Sequence, residues 1–332
     1  MKKHIYVYSP SGAVRDKAAF KRGVRRLEKL GHEVEVDEAA LASYERFAGD
    51  DATRLAAIHR AAASGADVAM IARGGYGLTR LLGDIKYKAL ARAIDRGMLF
   101  MGLSDFTAVQ CALLAKTGSL SWAGPSLVEG FGGKDEPDDI MLACFDDLLQ
   151  AQGEGTGWRQ HAERAVDLEG LNTFHARRVG PQASFVVQDA PLWGGNLSML
   201  CSLLGTPYFP QVEGGILFVE DVAEHPYRIE RMLAQLLHAG VLARQKAVLL
   251  GQFTEYKLTP HDRGYKLQSV VNWLRSQLKV PVLTNLPFGH VPTKVLLPVG
   301  ARCDLAVQGR DALLAWGHLD VDVGQSGSRE RN

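Results

Sequence analysis

Ser104 closes the apolar run Met98-Leu99-Phe100-Met101-Gly102-Leu103 and precedes a helical stretch over residues 106–116. Such a strand-to-helix junction holds a hydroxyl at the carboxyl edge of a sheet, beside free backbone N–H groups, which suits a nucleophile. Gly102 occupies the first glycine position of a nucleophile elbow, but Phe106 stands where the second belongs. The junction equally suits an N-cap serine, and the motif alone leaves both readings open. A serine nucleophile requires a base, an acid to orient that base, and donors for an oxyanion. His290 lies in Pro287-Phe288-Gly289-His290-Val291-Pro292, where two prolines and a glycine restrict the backbone around one imidazole. The segment suits a placed base, and equally a solvated loop histidine. Glu220 ends the apolar run 216–219, where a half-buried carboxylate needs a partner: an imidazole, a helix terminus or a surface cation. Gly74-Gly75-Tyr76-Gly77 follows the buried run 68–72, and its glycines let N–H groups approach an anion closely. A phosphate loop competes there, weakened by Arg80 at the third glycine position and the lack of a Walker lysine.

The elements that must position these residues follow from the pattern. The chain has 332 residues, 46% hydrophobic and 23% charged, enough for roughly two domains of about 150 residues each. Residues 1–152 alternate short apolar runs with helical periods, as βαβ units of a parallel sheet do. Strands are expected at 4–8, 34–36, 68–72 and 98–103, with helices at 18–30, 52–64, 89–94 and 106–116. Residues 153–157, Gly-Glu-Gly-Thr-Gly, open an expected linker over 153–170, because three glycines in five residues disfavour a regular element. Residues 171–320 read as a mixed domain, with strands at 216–219 and 247–250, helices at 227–239 and 268–278, and short strands near Val282, Val295 and Leu313. The tail 321–332 is expected to be disordered.

Composition narrows the chemistry. Thirty-eight Lys and Arg against thirty-seven Asp and Glu leave a charge of +1, too little to favour nucleic acid or anionic lipid. The apolar run at the amino terminus is too short for a signal peptide, and no segment reaches membrane-spanning length. Cys111, Cys144, Cys201 and Cys303 are widely spaced and read as buried thiols of a cytoplasmic protein. The ten histidines show no metal-ligand spacing.

Six motifs in order carry a resemblance: Arg73-Gly74-Gly75-Tyr76-Gly77; Gly102-Leu103-Ser104-Asp105-Phe106-Thr107; Trp193-Gly194-Gly195-Asn196-Leu197; Gly205-Thr206-Pro207; Phe218-Val219-Glu220-Asp221-Val222 with Glu224-His225-Pro226-Tyr227-Arg228; and Phe288-Gly289-His290. Together they resemble the LD-carboxypeptidases, the muramoyl-tetrapeptide carboxypeptidases of bacterial cell-wall recycling, from the first strand to about residue 318. The resemblance implies a serine peptidase with Ser104 as nucleophile, Glu220 as triad acid and His290 as base. The oxyanion donors it implies are the N–H groups of Gly75 and Asp105. It implies an α/β fold: an N-terminal parallel, Rossmann-like domain and a C-terminal mixed domain around a small β-barrel, with the site between them. Loss of terminal D-alanine from muropeptide tetrapeptides without metal or cofactor, in a cytoplasmic homodimer, follows from the same likeness. Arg73, Arg228, Arg231 and Lys294 are the cations near the motifs available for a substrate carboxylate. Arg73, Trp193 and Asn196 are the substrate-contact candidates, Trp193 being equally well read as a core aromatic. Two other functions stay open: the family's immunity enzymes, which cut an amide in a peptide-nucleotide antibiotic, and a non-catalytic muropeptide binder using the glycine loop.

Overall fold

The structure is a computed structural model that describes residues 2–162, 183–317 and 319. Five strands, β1 (His4–Tyr8), β2 (Glu33–Val36), β3 (Val68–Ile71), β4 (Leu99–Gly102) and β5 (Ser121–Ala123), alternate with helices α1 (Lys17–Lys29), α2 (Asp51–Ala63), α3 (Tyr87–Asp95) and α4 (Thr107–Thr117). They pair in parallel in the order β5-β4-β3-β1-β2. The expected strands and helices of this half are thus found, with bounds shifted by a residue or two. All four residues of β3 are buried, as a strand covered by helices on both faces must be. The order reverses between β1 and β3, the point at which open parallel sheets gather ligands beyond their carboxyl ends. Helix α5 (Asp139–Leu149) completes this half.

The second sheet has seven strands in the order β10-β9-β8-β7-β12-β13-β6. These are β6 (Gly155–Arg159), β7 (Ser184–Asn196), β8 (Ile216–Val222), β9 (Ala247–Thr254), β10 (Val282–Leu283), β12 (Arg302–Gln308) and β13 (Asp311–Ala315), with helices α6 (Leu197–Leu203), α7 (Pro226–His238) and α8 (Leu267–Gln277). β7 spans two environments: its first part pairs antiparallel with β12 and its end pairs in parallel with β8, setting Asn196 beside Glu220. Two expectations change here. Residues 155–159 form a strand rather than a linker, because Thr156 and Trp158 supply the buried face and Gly155 lets β13 approach: a Cβ on it would lie 2.6 Å from the Leu314 carbonyl oxygen. The sheet also ends in β10 and β6, with no pairing that closes it into a barrel among the described residues.

The strand foreseen near Val295 is β11 (Leu297–Val299), and it pairs antiparallel with β5 of the first sheet. The halves also share a core. Helix α4 is buried along Thr107–Leu113, because it packs its far side on β7 and α6. Cys111 and Cys303 are buried free thiols, while Cys144 and Cys201 are half-buried, not buried as expected, and free. The second part of the expected linker and the tail lie outside the described residues. Among the described residues, no helix is long and apolar enough to cross a membrane.

Candidate active site

Ser104 adopts φ +64°, left-handed backbone that is costly for a residue with a Cβ. The cap reading fails: the short 3-10 turn Ser104–Phe106 has Leu103 as its N-cap, and α4 has Phe106, neither with a side-chain cap. The Ser104 side chain instead lies on the glycine loop, where a Cβ built on Gly74 would be 2.7 Å from Ser104 Cβ and 2.9 Å from its Oγ. Only glycine admits that approach. The Gly74 carbonyl accepts a hydrogen bond from Gly12 N–H at 3.2 Å. Because the peptide is planar and trans, the Gly75 N–H points the opposite way, and it has no acceptor among the described residues. The Asp105 side chain clamps the turn from beneath. Its Oδ2 accepts from Ser11 Oγ and from Leu78 N–H at 3.0 Å, joining the loops that follow β1, β3 and β4. Burial pushes this carboxyl above its ordinary range, opposed by those two donors.

Glu220 stands near the end of β8, where the register with β9 shifts between Val219 and Asp221. The irregularity re-aims side chains, so consecutive acids are both enclosed, Glu220 at 0% exposure and Asp221 at 3%. Asn196 Nδ2 donates to both, at 3.2 Å to Glu220 Oε1 and 3.0 Å to Asp221 Oδ1. Asp221 Oδ2 accepts from Ser198 N–H and Oγ; burial raises this carboxyl, with the Ser198 bond opposing. The other Glu220 oxygen, Oε2, lies 2.8 Å from His290 Nδ1. Gly289, at φ +142°, permits this contact, since a Cβ there would sit 3.2 Å from Glu220 Oε2. Phe288 anchors the loop edge-on against Phe218 at 5.4 Å. Burial disfavours the His290 cation, but the hydrogen bond and charge of Glu220 outweigh it and raise the imidazole above the ordinary histidine value.

Of the expected site residues, Glu220 and His290 are joined directly, and Ser104, Gly75 and Asp105 form a second group. The two groups meet through Thr107, whose Oγ1 accepts from Asn196 N–H at 3.0 Å. No hydrogen bond links Ser104 Oγ to His290 among the described residues. The proposed substrate contacts fare differently. Trp193 is 1% exposed, donates to Gln245 Oε1 at 2.9 Å and packs edge-on against Phe209. That leaves no face for a ligand, so its core reading is the one the structure carries. Asn196 is spent on the two acids and on capping α6 through Met199 N–H, a supporting place rather than a surface for substrate. Arg73 donates to the Ala13 carbonyl, Arg228 pairs with Glu224, and Arg231 is exposed. Sequence reading missed Ser11, Thr107 and Asp221 as supports; Thr107 and Asp221 lay inside quoted motifs, but only the packing of the two sheets shows what they hold. Among the described residues, no three His, Cys, Asp or Glu side chains gather as metal ligands.

Comparison with known proteins bears on this geometry. Residues 5–124 match the family model of the LD-carboxypeptidase N-terminal domain and residues 189–305 that of the LD-carboxypeptidase C-terminal domain. A Bacillus subtilis protein named as a murein peptide carboxypeptidase is 28% identical over 88% of this chain and 85% of its own. The crystal structure of muramoyltetrapeptide carboxypeptidase from Oxalobacter formigenes is 38% identical, with a TM-score of 0.80 over 95% of this chain and 98% of that one. The Escherichia coli microcin C7 self-immunity protein is 24% identical over 75% of this chain and 74% of its own. Its solved complex with glutamyl sulfamoyl guanosine aligns with a TM-score of 0.79 at 21% identity over 96% of this chain and 97% of that one, a likeness of fold.

Proposed function

The chain belongs to the LD-carboxypeptidase family of serine peptidases, and from that premise we propose that it removes the terminal D-alanine of muropeptide tetrapeptides with Ser104, Glu220 and His290 as its catalytic residues. The observation that carries this reading is the bond between His290 Nδ1 and Glu220 Oε2 at 2.8 Å. It commits one ring nitrogen and leaves Nε2 to exchange protons, the division of labour a hydrolytic triad needs. In the reaction, Nε2 takes the Ser104 proton as Oγ attacks the carbonyl of the L-configured centre of the diamino acid. The tetrahedral oxyanion is received by the N–H groups of Gly75 and Asp105; one such donor contributes about 3–4 kcal/mol in other hydrolases. Collapse breaks the amide, and His290 returns the proton to the departing D-alanine amine. Water, deprotonated by the same imidazole, then frees the acyl group and restores the serine. Catalytic hydrogen bonds often tighten only when substrate is bound, in keeping with the unlinked Ser104 hydroxyl.

Muropeptide recycling in the cytoplasm by a homodimer is the setting this reading fits, with free or nucleotide-linked tetrapeptide as substrate. Incubation with a muramoyl tetrapeptide should yield a product lighter by one alanine, unaffected by chelator and absent with Ser104→Ala. Unchanged turnover by that variant would reject Ser104 as nucleophile. The similarity to the self-immunity protein gives the second reading its footing, and a parallel assay on an aminoacyl sulfamoyl nucleoside separates them. A mere binder would hold muropeptide in the Ser104→Ala variant and form no adduct with a serine-directed phosphonate in the wild type.

A further inference from the structure

Lys294 follows His290 on the same loop, which Val295 N–H closes on the Pro287 carbonyl at 2.8 Å. The residue is 2% exposed, and its ammonium makes neither hydrogen bond nor ion pair with the described residues. A buried ammonium without acceptors is costly. Another buried cation, Arg54, pairs its two terminal nitrogens with Asp51 and the Pro10 carbonyl, although its Nε has no partner among the described residues. Burial pulls the Lys294 ammonium below its ordinary range, opposed by the charges of Glu129, Glu220 and Asp138. Two of those carboxylates are committed elsewhere: Glu220 to His290 and Asn196, and Asp138 to the first turn of α5 and to Thr293 Oγ1 at 2.6 Å. Glu129 is exposed on the turn after β5, at the carboxyl edge that also bears Ser104. Lys294 therefore carries three unassigned donors on the loop of the imidazole that would protonate the leaving amine, near enough for its charge to act against that imidazole's cation.

We infer that Lys294 receives a carboxylate of the peptide substrate, namely the α-carboxylate of the departing residue. The inference rests on the carboxypeptidase reading above. In a terminal amino acid the carboxyl carbon is two bonds from the scissile nitrogen, so its receptor must lie close to the group that protonates that nitrogen. A cation on the histidine's own loop meets that requirement. The incoming anion supplies the acceptor that the folded chain withholds, and a neutral chain end gains nothing there.

The test compares kcat/KM for a muramoyl tetrapeptide and its C-terminal carboxamide in wild type, Lys294→Met and Lys294→Arg, with melting temperatures verifying the fold. Wild type should prefer the acid by about 30–100-fold, the usual scale for losing one partner of a buried charged pair. Lys294→Met should bring that ratio to within about threefold of one, chiefly through KM for the acid, and Lys294→Arg should restore part of it. A ratio retained in Lys294→Met, or a parallel loss on both substrates, would overturn the inference by marking Lys294 as a packing or histidine-tuning group. Failure of the wild type to cleave the acid would instead sink the carboxypeptidase reading, and this inference with it.

Discussion

The His290 imidazole titrates in a place that opposes its charge by burial and favours it through the Glu220 carboxylate, with the second effect larger. In the proposed reaction only neutral imidazole accepts the Ser104 proton, so activity should fall as pH drops through the His290 pKa. Because that pKa is raised, the acid limb of kcat/KM should lie above the unperturbed histidine value of about 6.5. Glu220→Gln removes the charge that raises it. That variant should lose about 10³–10⁴-fold in kcat and carry its remaining acid limb down toward about 6.5 or lower. A pH–rate profile of both proteins measures this, and an acid limb already below 6 in the wild type would contradict it. At this scale Ser104, Glu220 and His290 could be singled out because each ends an apolar run or stands in a proline-restricted loop, while the roles proposed for them came from the resemblance of the motifs. Trp193 and Asn196 were not, since a side chain's facing depends on what packs against it: Gln245 and Phe209 enclose the tryptophan, and two adjacent acids consume the amide.

Elements were legible where one segment decides its own burial. The runs of β1, β3 and β4 are apolar on both faces, and α1 shows its buried Phe20, Gly23 and Leu27 at helical spacing. β6 was misread because its alternation is carried by only Thr156 and Trp158 among glycines, and its strand character comes from β13 alongside. The same dependence governs the turn at Ser104. Its left-handed backbone is held by the Asp105 clamp and accommodated by Gly74. Gly74→Ala, with its Cβ 2.7 Å from Ser104 Cβ, should displace the hydroxyl and lower kcat/KM by about 100-fold, as small misplacements of reacting groups do. Steady-state kinetics and a fluorophosphonate labelling rate read this directly, and a Gly74→Ala enzyme with wild-type labelling would show that the loop does not position the serine.

Across the whole molecule, the exchange of strands was the part no single stretch could announce. A parallel βαβ half and a mixed half read as separable, yet β11 lies on the first sheet although it follows β10 of the second. Thr107 and Asn196 tie the seam, and one apolar cluster runs from Phe106 through Trp193 to Leu217. Thermal unfolding should therefore be one transition with a calorimetric-to-van't Hoff ratio of about one. Leu297→Ala, at a fully buried position of β11, should lower stability by about 2–5 kcal/mol without splitting that transition. Two resolved peaks in calorimetry would show the halves to be independent. The path of β11 also bears on how a peptide gets in. A few residues past His290 the backbone enters the sheet that carries Ser104, so the imidazole is moored to the scaffold that bears the hydroxyl. Jaw-like swinging of one half against the other would have to tear away that edge strand from β5.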